Sequence, residues 1–249
     1  MENESDSIPS KNRKKIFLRK LWKWSKRIFL WLFIAQLFYI ILLKWVNPPL
    51  TMTQLISWIS GHGLKRDYVR RNTISPYARL AVISSEDQLF PDHHGFDWKS
   101  IKKAMEYNKR KPGRTRGAST ISQQVAKNVF LWQGRSWIRK GLEVYFTFMI
   151  ELMWGKKRIL DVYLNVIEMG EGIFGIEMAA QKYFTKPAKN LTRQEAAMIA
   201  ACLPNPRRFK VKPLSAYVAN RSRWVMQQMS FLEPDPDIQR VTGLGSQGK

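Results

Sequence analysis

The stretch SSEDQLFPDHHGFDW, residues 84 to 98, gathers Glu86, Asp87, His93, His94 and Asp97 into one short span. Side chains of these types serve three tasks. They hold and release protons as general acids and bases, they converge on a metal ion, or they accept backbone N–H bonds in a self-capped turn. The span shows no regular metal-ligand spacing and the whole chain has only three histidines, which weighs against the metal. A second group follows in GASTISQQVAKN (117 to 128). At 100° per residue Thr120, Gln123, Gln124 and Lys127 share one helix face, with Ile121, Val125 and Val129 on the other. Thr120 and Gln123 also have the spacing of a capping box, which predicts where the helix starts. The polar face is either solvated surface or the lining of a pocket. In RSWIRKGLEVYFTFMIE (135 to 151), Arg139 and Lys140 precede Glu143 by four and three residues. That spacing makes a surface ion pair, a carboxylate held by cations, or a cation clamp for phosphate. KKRILDVYLNVIEMGEG (156 to 172) then aligns Asp161, Asn165 and Glu168 on a predicted helix that Gly170 and Gly172 end, with Ile159, Tyr163, Val166 and Ile167 toward the core.

These groups need a scaffold and a compartment. Residues 28 to 46, IFLWLFIAQLFYIILLKWV, contain only Gln36 and Lys44 as polar positions and predict one transmembrane helix. Residues 1 to 27 carry nine Lys or Arg against three acids, so the positive-inside rule places this basic tail in the cytoplasm and everything after residue 47 outside. No small-x-small cleavage site follows the apolar run, so the helix is expected to be retained. Trp22, Trp24, Trp31 and Trp45 fall near the ends of the span, where indole rings favour the interface.

The formal net charge of +23 comes from 42 Lys and Arg against 19 Asp and Glu. Without the first 27 residues the balance is 33 against 16, so the outer portion is itself basic. Outside the cell such a charge meets anionic lipid headgroups or a lipid-linked phosphate, not nucleic acid. The single cysteine, Cys202, excludes an internal disulfide framework. From Thr51 onward apolar residues recur at three and four positions, which predicts an almost wholly helical domain over 47 to 235. KRKPGRTRG (109 to 117) reads as a basic loop, and residues 236 to 249 as a loosely ordered tail.

In this order and at these intervals, EDQLFPDHHGFD, GASTISQQVAKNVFL, RKGLE and KKRILDVYLNVIEMGEGIFGIE, closing on AAMIAACLPNP, resemble the motifs of the peptidoglycan glycosyltransferases. The resemblance runs from about residue 78 to 206, and VIEMG with CLPNP looks like the monofunctional, biosynthetic branch. No KTG motif occurs, so the penicillin-binding transpeptidase activity of bifunctional relatives is not expected here. Ala118 and Ser122 depart from the glycine and threonine common at these places in the family.

The resemblance implies a mainly α, lysozyme-like helical domain with a small membrane-apposed lobe. It implies an enzyme that polymerises lipid II into β-1,4 glycan strands, with inversion at the donor anomeric carbon and release of polyprenyl pyrophosphate. In that reading Glu86 takes the proton of the attacking hydroxyl, and Glu143 orients a cation or holds a metal. Ser119, Thr120, Gln123, Gln124, Lys127, Arg139, Lys140 and Asn165 bind substrate. His93 braces the loop that carries Glu86, and Asp87 either orients Glu86 or caps locally. No cofactor is obligatory, although Mg2+ or Mn2+ is compatible with the pyrophosphate. The implied location is the bacterial inner membrane, with a single pass and a periplasmic catalytic domain. The implied partners are lipid II, the nascent strand and other cell-wall synthesis proteins.

Overall fold

The computed structural model of the protein describes residues 10–111, 113, 117–134 and 136–246. The chain forms two compact units, Met1–Trp45 and Val46–Lys249. Among its described residues the first unit is a single helix, α1 (Ser10–Leu42), so from Ser10 onward the expected basic tail and membrane span are one continuous element. Its apolar portion, Leu18–Leu42, spans 25 residues at mean hydropathy 1.6, beyond the roughly 20 residues that cross a bilayer. The helix stops at Leu42 and not at residue 46. Lys44 N–H and Trp45 N–H bond to the carbonyls of Ile41 and Leu42, tightening the last turn.

The second unit opens with α2 (Met52–Ile59), started by a capping box between Thr51 and Gln54, and continues through the short strand β1 (Lys65–Arg66). α3 (Pro76–Glu86) begins on the Ser75 hydroxyl, with Pro76 in the first turn where its missing N–H leaves nothing unpaired. α4 (Trp98–Arg110) is capped by Asp97, and α5 (Ile121–Phe130) by the Thr120–Gln123 box that the sequence predicts. α6 (Trp137–Met153) starts on Ser136, and α7 (Lys156–Val166) follows Gly155. α8 (Ile176–Phe184), α9 (Arg193–Cys202), α10 (Ala216–Leu232) and α11 (Pro236–Thr242) complete the helices. A third capping box, Thr192 with Glu195, starts α9. Each such cap satisfies N–H groups that a helix start leaves without partners, at about 1 kcal/mol apiece.

α7 ends at Val166, four residues short of the first predicted stop glycine, Gly170, because the chain turns into β2 (Glu168–Gly170) and β3 (Ile173–Phe174). β3 pairs in parallel with β1 and antiparallel with β2. Gly172 makes the turn possible. Its φ is +65°, and a Cβ there would stand 2.2 Å from the His62 carbonyl oxygen. Glu168 therefore leaves the row predicted for it beside Asp161 and Asn165, and pairs with Arg207 at 3.0 Å.

α3 runs through the centre of the unit, with Leu80, Ala81, Val82 and Ile83 all buried, and packs against α9 and α10. α5 packs against α6 and α7, burying the predicted stripe of Ile121, Val125 and Val129. α6 keeps an apolar face outward: Trp137 and Ile138 are 91% and 76% exposed, and Phe148 and Leu152 are exposed as well. Of the predicted basic loop, Lys109 and Arg110 finish α4. Pro112 and residues 114–116 lie outside the described residues.

The expected loose tail is instead a helix as far as Thr242, and the reason is a buried arginine. Ile238 and Val241 of α11 are buried, and the Thr242 carbonyl accepts from Arg79 Nε at 2.5 Å. Arg79 Nη1 bonds the carbonyls of Arg71 and Ile74, both at 2.9 Å, and Arg71 Nη2 bonds the Val241 carbonyl. Burial, with Arg71 nearby, pulls the Arg79 guanidinium down to about 10 despite the opposing pull of Asp161. A chain ending at Glu233 leaves the buried Arg79 Nε and the half-buried Arg71 Nη2 without their carbonyl acceptors. It is expected to lose about 3 kcal/mol or more in urea unfolding. Combining that truncation with Arg79→Met is expected to cost less than the sum of the two changes, because one removes what the other strands. Strict additivity would show that α11 is held by its apolar contacts alone.

Candidate active site

α3 ends at Glu86, and its last residues open into a cleft of about 930 Å³. Glu86 and Gln88 line it from the α3 end, Ser119, Thr120 and Gln124 from the start of α5, and Lys99, Ser100 and Lys103 from α4. Arg221, Trp224 and Gln228 of α10 line it too.

What holds Glu86 in place is the residue after it. The Asp87 carboxylate accepts from the backbone N–H of Ile121 at 2.9 Å and from His93 Nε2 at 3.0 Å. His93 Nδ1 accepts from Gly95 N–H at 3.1 Å, so the imidazole carries its proton on Nε2 and donates it to Asp87. The Thr120 hydroxyl donates to the Gly95 carbonyl at 2.7 Å, closing the ring of contacts. Gly95 has a φ of +88°, and a Cβ there would come within 2.7 Å of Thr147 Cγ2 on α6. Of the two roles open for Asp87, the structure supports capping: it caps α5 and thereby joins the end of α3 to the start of α5. His93 serves as the brace expected of it.

Glu86 itself is served by neutral donors. Gln124 Nε2 donates to its Oε2 at 2.9 Å, and the Ser85 hydroxyl to its Oε1 at 3.3 Å. Gln124 is oriented in turn by the Tyr163 hydroxyl, which donates to its amide oxygen at 3.2 Å. Tyr163 is fully buried, and burial raises its phenol well above the usual tyrosine range, so it remains a donor. The relay Tyr163–Gln124–Glu86 thus fixes which end of the amide meets the carboxylate. Burial also raises the Glu86 carboxyl above the ordinary carboxylate range, against the bonds from Gln124 and Ser85 and the charge of Arg221. A carboxylate with raised proton affinity, open to a cleft, has the properties of a general base.

Glu143 is treated in the opposite way. It is 3% exposed, and its two oxygens are taken by Arg139 Nη1 at 2.6 Å and Lys140 Nζ at 2.5 Å. Lys127 on α5 faces the same group: burial lowers its ammonium, the Glu143 charge holds it up, and Arg139 and Lys140 lower it. Arg139 Nε is buried without a hydrogen-bond partner. Three cations around one acid make an anion-receiving cluster, and a resident divalent cation does not fit a carboxylate already saturated by positive groups. No group of three or more His, Cys, Asp or Glu able to hold a metal occurs among the described residues.

The other predicted residues divide. Ser119, Thr120 and Gln124 line the cleft with Glu86, whereas Lys127, Arg139 and Lys140 lie one turn along α5 and on α6, outside its lining. Gln123 is buried and its amide oxygen accepts from Thr120 N–H, so it serves the cap and not the cleft. Asn165 is a correction to the sequence reading. Its Oδ1 accepts from Val69 N–H at 2.8 Å and its Nδ2 donates to the carbonyls of Val69 and Asp161, so the amide clamps an extended segment instead of facing substrate. Missed altogether were Lys99 and Lys103 on α4 and the α10 residues. A signal existed for the latter, since Tyr217, Arg221, Trp224 and Gln228 fall at intervals of four, three and four.

The transglycosylase family model matches residues 52–230 of this chain. Among curated relatives, the biosynthetic peptidoglycan transglycosylase of an Escherichia coli strain is 56% identical over 190 residues, covering 75% of this chain and 78% of that protein. The protein of the same name from Shigella boydii serotype 4 is 55% identical over 190 residues, with the same coverage. The one from Yersinia pseudotuberculosis serotype O:3 is 50% identical over 232 residues, covering 90% of this chain and 96% of the relative.

The environment of Glu86 has a measurable signature in stability. An acid whose pKa is raised on folding binds its proton more tightly in the folded state. Its contribution is present below the unfolded carboxylate pKa and is lost as pH rises through the folded value. Glu86→Gln is therefore expected to change the thermal midpoint little at about pH 4 and to raise it at about pH 8. A midpoint lowered more at the higher pH would show that the ionised carboxylate is net stabilised where it sits.

Proposed function

The chain belongs to the transglycosylase family and is a glycosyltransferase of peptidoglycan synthesis, and on that premise we propose that it polymerises lipid II into β-1,4 glycan strands. In this reading Glu86 removes the proton from the acceptor hydroxyl as that oxygen attacks the donor anomeric carbon. The bond from that carbon to the donor's pyrophosphate oxygen breaks, and polyprenyl pyrophosphate departs with its negative charge. One displacement with inversion converts an α-linked donor into a β-linked product, and no covalent enzyme intermediate is required. The observation that carries the proposal is the pair of unlike acids. Glu86 is kept basic by burial and by neutral donors, and Glu143 is buried as the anchor of a three-cation cluster.

The cluster suits a leaving pyrophosphate because fixed charge aimed at charge that develops on departure stabilises the transition state more than the ground state. Glu143 in this account holds Arg139 and Lys140 in position and exchanges no proton. Gln124 positions Glu86, and Ser119 and Thr120 border the sugar-binding part of the cleft. Any Mg2+ or Mn2+ would arrive on the oxygens of the pyrophosphate, not on a protein site. The lipid character of the substrate finds support on α6, where the exposed Trp137 and Ile138 immediately precede Arg139 and Lys140. A polyprenyl chain and its pyrophosphate present the same adjacency of apolar and anionic groups. α1 has the length and composition of a membrane anchor, and its basic N-terminal flank supports a reading with the second unit on the periplasmic side of the inner membrane.

Glu86→Gln keeps the shape of the side chain and removes its basicity, so lipid II polymerisation is expected to fall by about 10² to 10⁴ while the fold persists. Near-normal turnover would take Glu86 out of the base's role, and cleavage of preformed strands by the wild type would replace synthesis with a lytic activity. Lys127→Ala is expected to lower kcat by about 10² with an unchanged thermal midpoint, whereas Glu106→Ala, on the exposed side of α4, leaves turnover intact. Lys127→Arg is expected to recover only part of the loss, because a planar guanidinium does not occupy the place of a compact ammonium. Wild-type turnover in Lys127→Ala would return this helix face to a structural role.

A further inference from the structure

The cleft has one wall that the phosphate-binding account leaves without a task. Tyr217, Arg221, Trp224 and Gln228 share one face of α10, and the last three line the cleft beside Glu86. Trp224 is 36% exposed, so part of its indole ring faces the cleft that it lines. The Arg221 guanidinium lies 3.7 Å from the centre of that ring, and its Nε is buried with no hydrogen-bond partner. The amide oxygen of Gln228 accepts from Gln88 Nε2 at 3.1 Å, which turns its own NH2 group away from Gln88 and leaves it to donate elsewhere. Beyond the cleft lining, Tyr217 is stacked on Phe209 with ring centres 3.7 Å apart and planes 12° from parallel.

We propose that this stripe of α10 is a binding track for the uncharged sugars of a glycan strand. The inference rests on the transglycosylase reading and adds to it a place for the polymer. A hexopyranose presents an apolar face of C–H groups, weakly positive, which matches the negative face of an aromatic ring. Its hydroxyls and acetamido oxygens match guanidinium and amide donors at the ring's edge. Arg221 is the one cation on the stripe, and the neighbouring Glu86 offsets it, so this wall is close to neutral. The cations that suit phosphate lie elsewhere, on α4, α5 and α6. From Tyr217 to Gln228 the stripe extends about 16 Å, longer than one hexopyranose, which selects a strand over a single sugar. α10 packs on α3 and α9, so the track is fixed relative to the helix that carries Glu86.

The probe is the β-1,4-linked tetramer of N-acetylglucosamine, which has neither lipid nor charge, titrated into the full chain in detergent. Wild type is expected to bind it more tightly than the dimer. Trp224→Ala, with an unchanged thermal midpoint, is expected to weaken tetramer binding about tenfold or more and to shorten the strands made from lipid II. Trp224→Phe is expected to restore most of both, since a flat ring remains. Equal binding of dimer and tetramer overturns the track. So does Trp224→Ala with undiminished tetramer affinity and a lowered kcat, which would make Trp224 only a clamp that positions Arg221. A wild type that makes no polymer from lipid II defeats the transglycosylase reading instead, and the tetramer titration still reports on the track independently.

Discussion

The geometry of the site hangs on one carboxylate that does no chemistry. Asp87 accepts from the first N–H of α5 and from the imidazole of His93, and so ties the end of α3, the turn around Gly95 and the start of α5 at a single point. Glu86 precedes Asp87 in the chain, and Gln124 lies one turn inside α5. Their 2.9 Å bond is therefore set by a joint whose members are all buried or nearly so. Removing one partner from such a joint strands the others without water to replace it, which is why a buried polar network imposes a single geometry. The residue types that invite a metal-site reading of this span are explained by that joint.

The two central acids show how environment assigns roles. Both are withdrawn from solvent, but Glu86 meets amide and hydroxyl donors while Glu143 meets an ammonium and a guanidinium. Desolvation outweighs the neutral donors and the charge of Arg221 and raises the proton affinity of Glu86, whereas Glu143 sits between two cations that it holds in place. Neither role follows from the identity of the residue, since both are glutamates at helix positions.

Much of the fold was legible because it is written locally. The Thr120–Gln123 box, the Ile121–Val125–Val129 stripe and the core placement of Tyr163 need only helical spacing and composition. Glu86 and the Arg139–Lys140–Glu143 group were named from the order of motifs. What escaped depends on partners distant in the chain. Asn165 looked like a residue of a polar row because Val69, whose backbone it clamps, is 96 positions away. α7 looked longer because the strand pairing of residues 168–174 with Lys65 and Arg66 leaves no trace in periodicity. The tail looked loose because nothing in residues 236–242 announces the buried arginine that needs its carbonyls. The α10 wall was passed over because it lies after the last recognisable motif, although its spacing was there to read.

That arginine also sets an order of events. A chain is made from its N-terminus, and Arg79 on α3 is made 163 residues before its acceptor at Thr242. Until then Arg79 Nη1 can reach the Arg71 and Ile74 carbonyls, but its Nε has only water to meet. Completion of the packing around α3 is thus coupled to the synthesis of α11. A chain without α11 would keep water against the Arg79 end of its central helix. In this way a short helix far along the chain supplies the last partner of a centre that α3 begins.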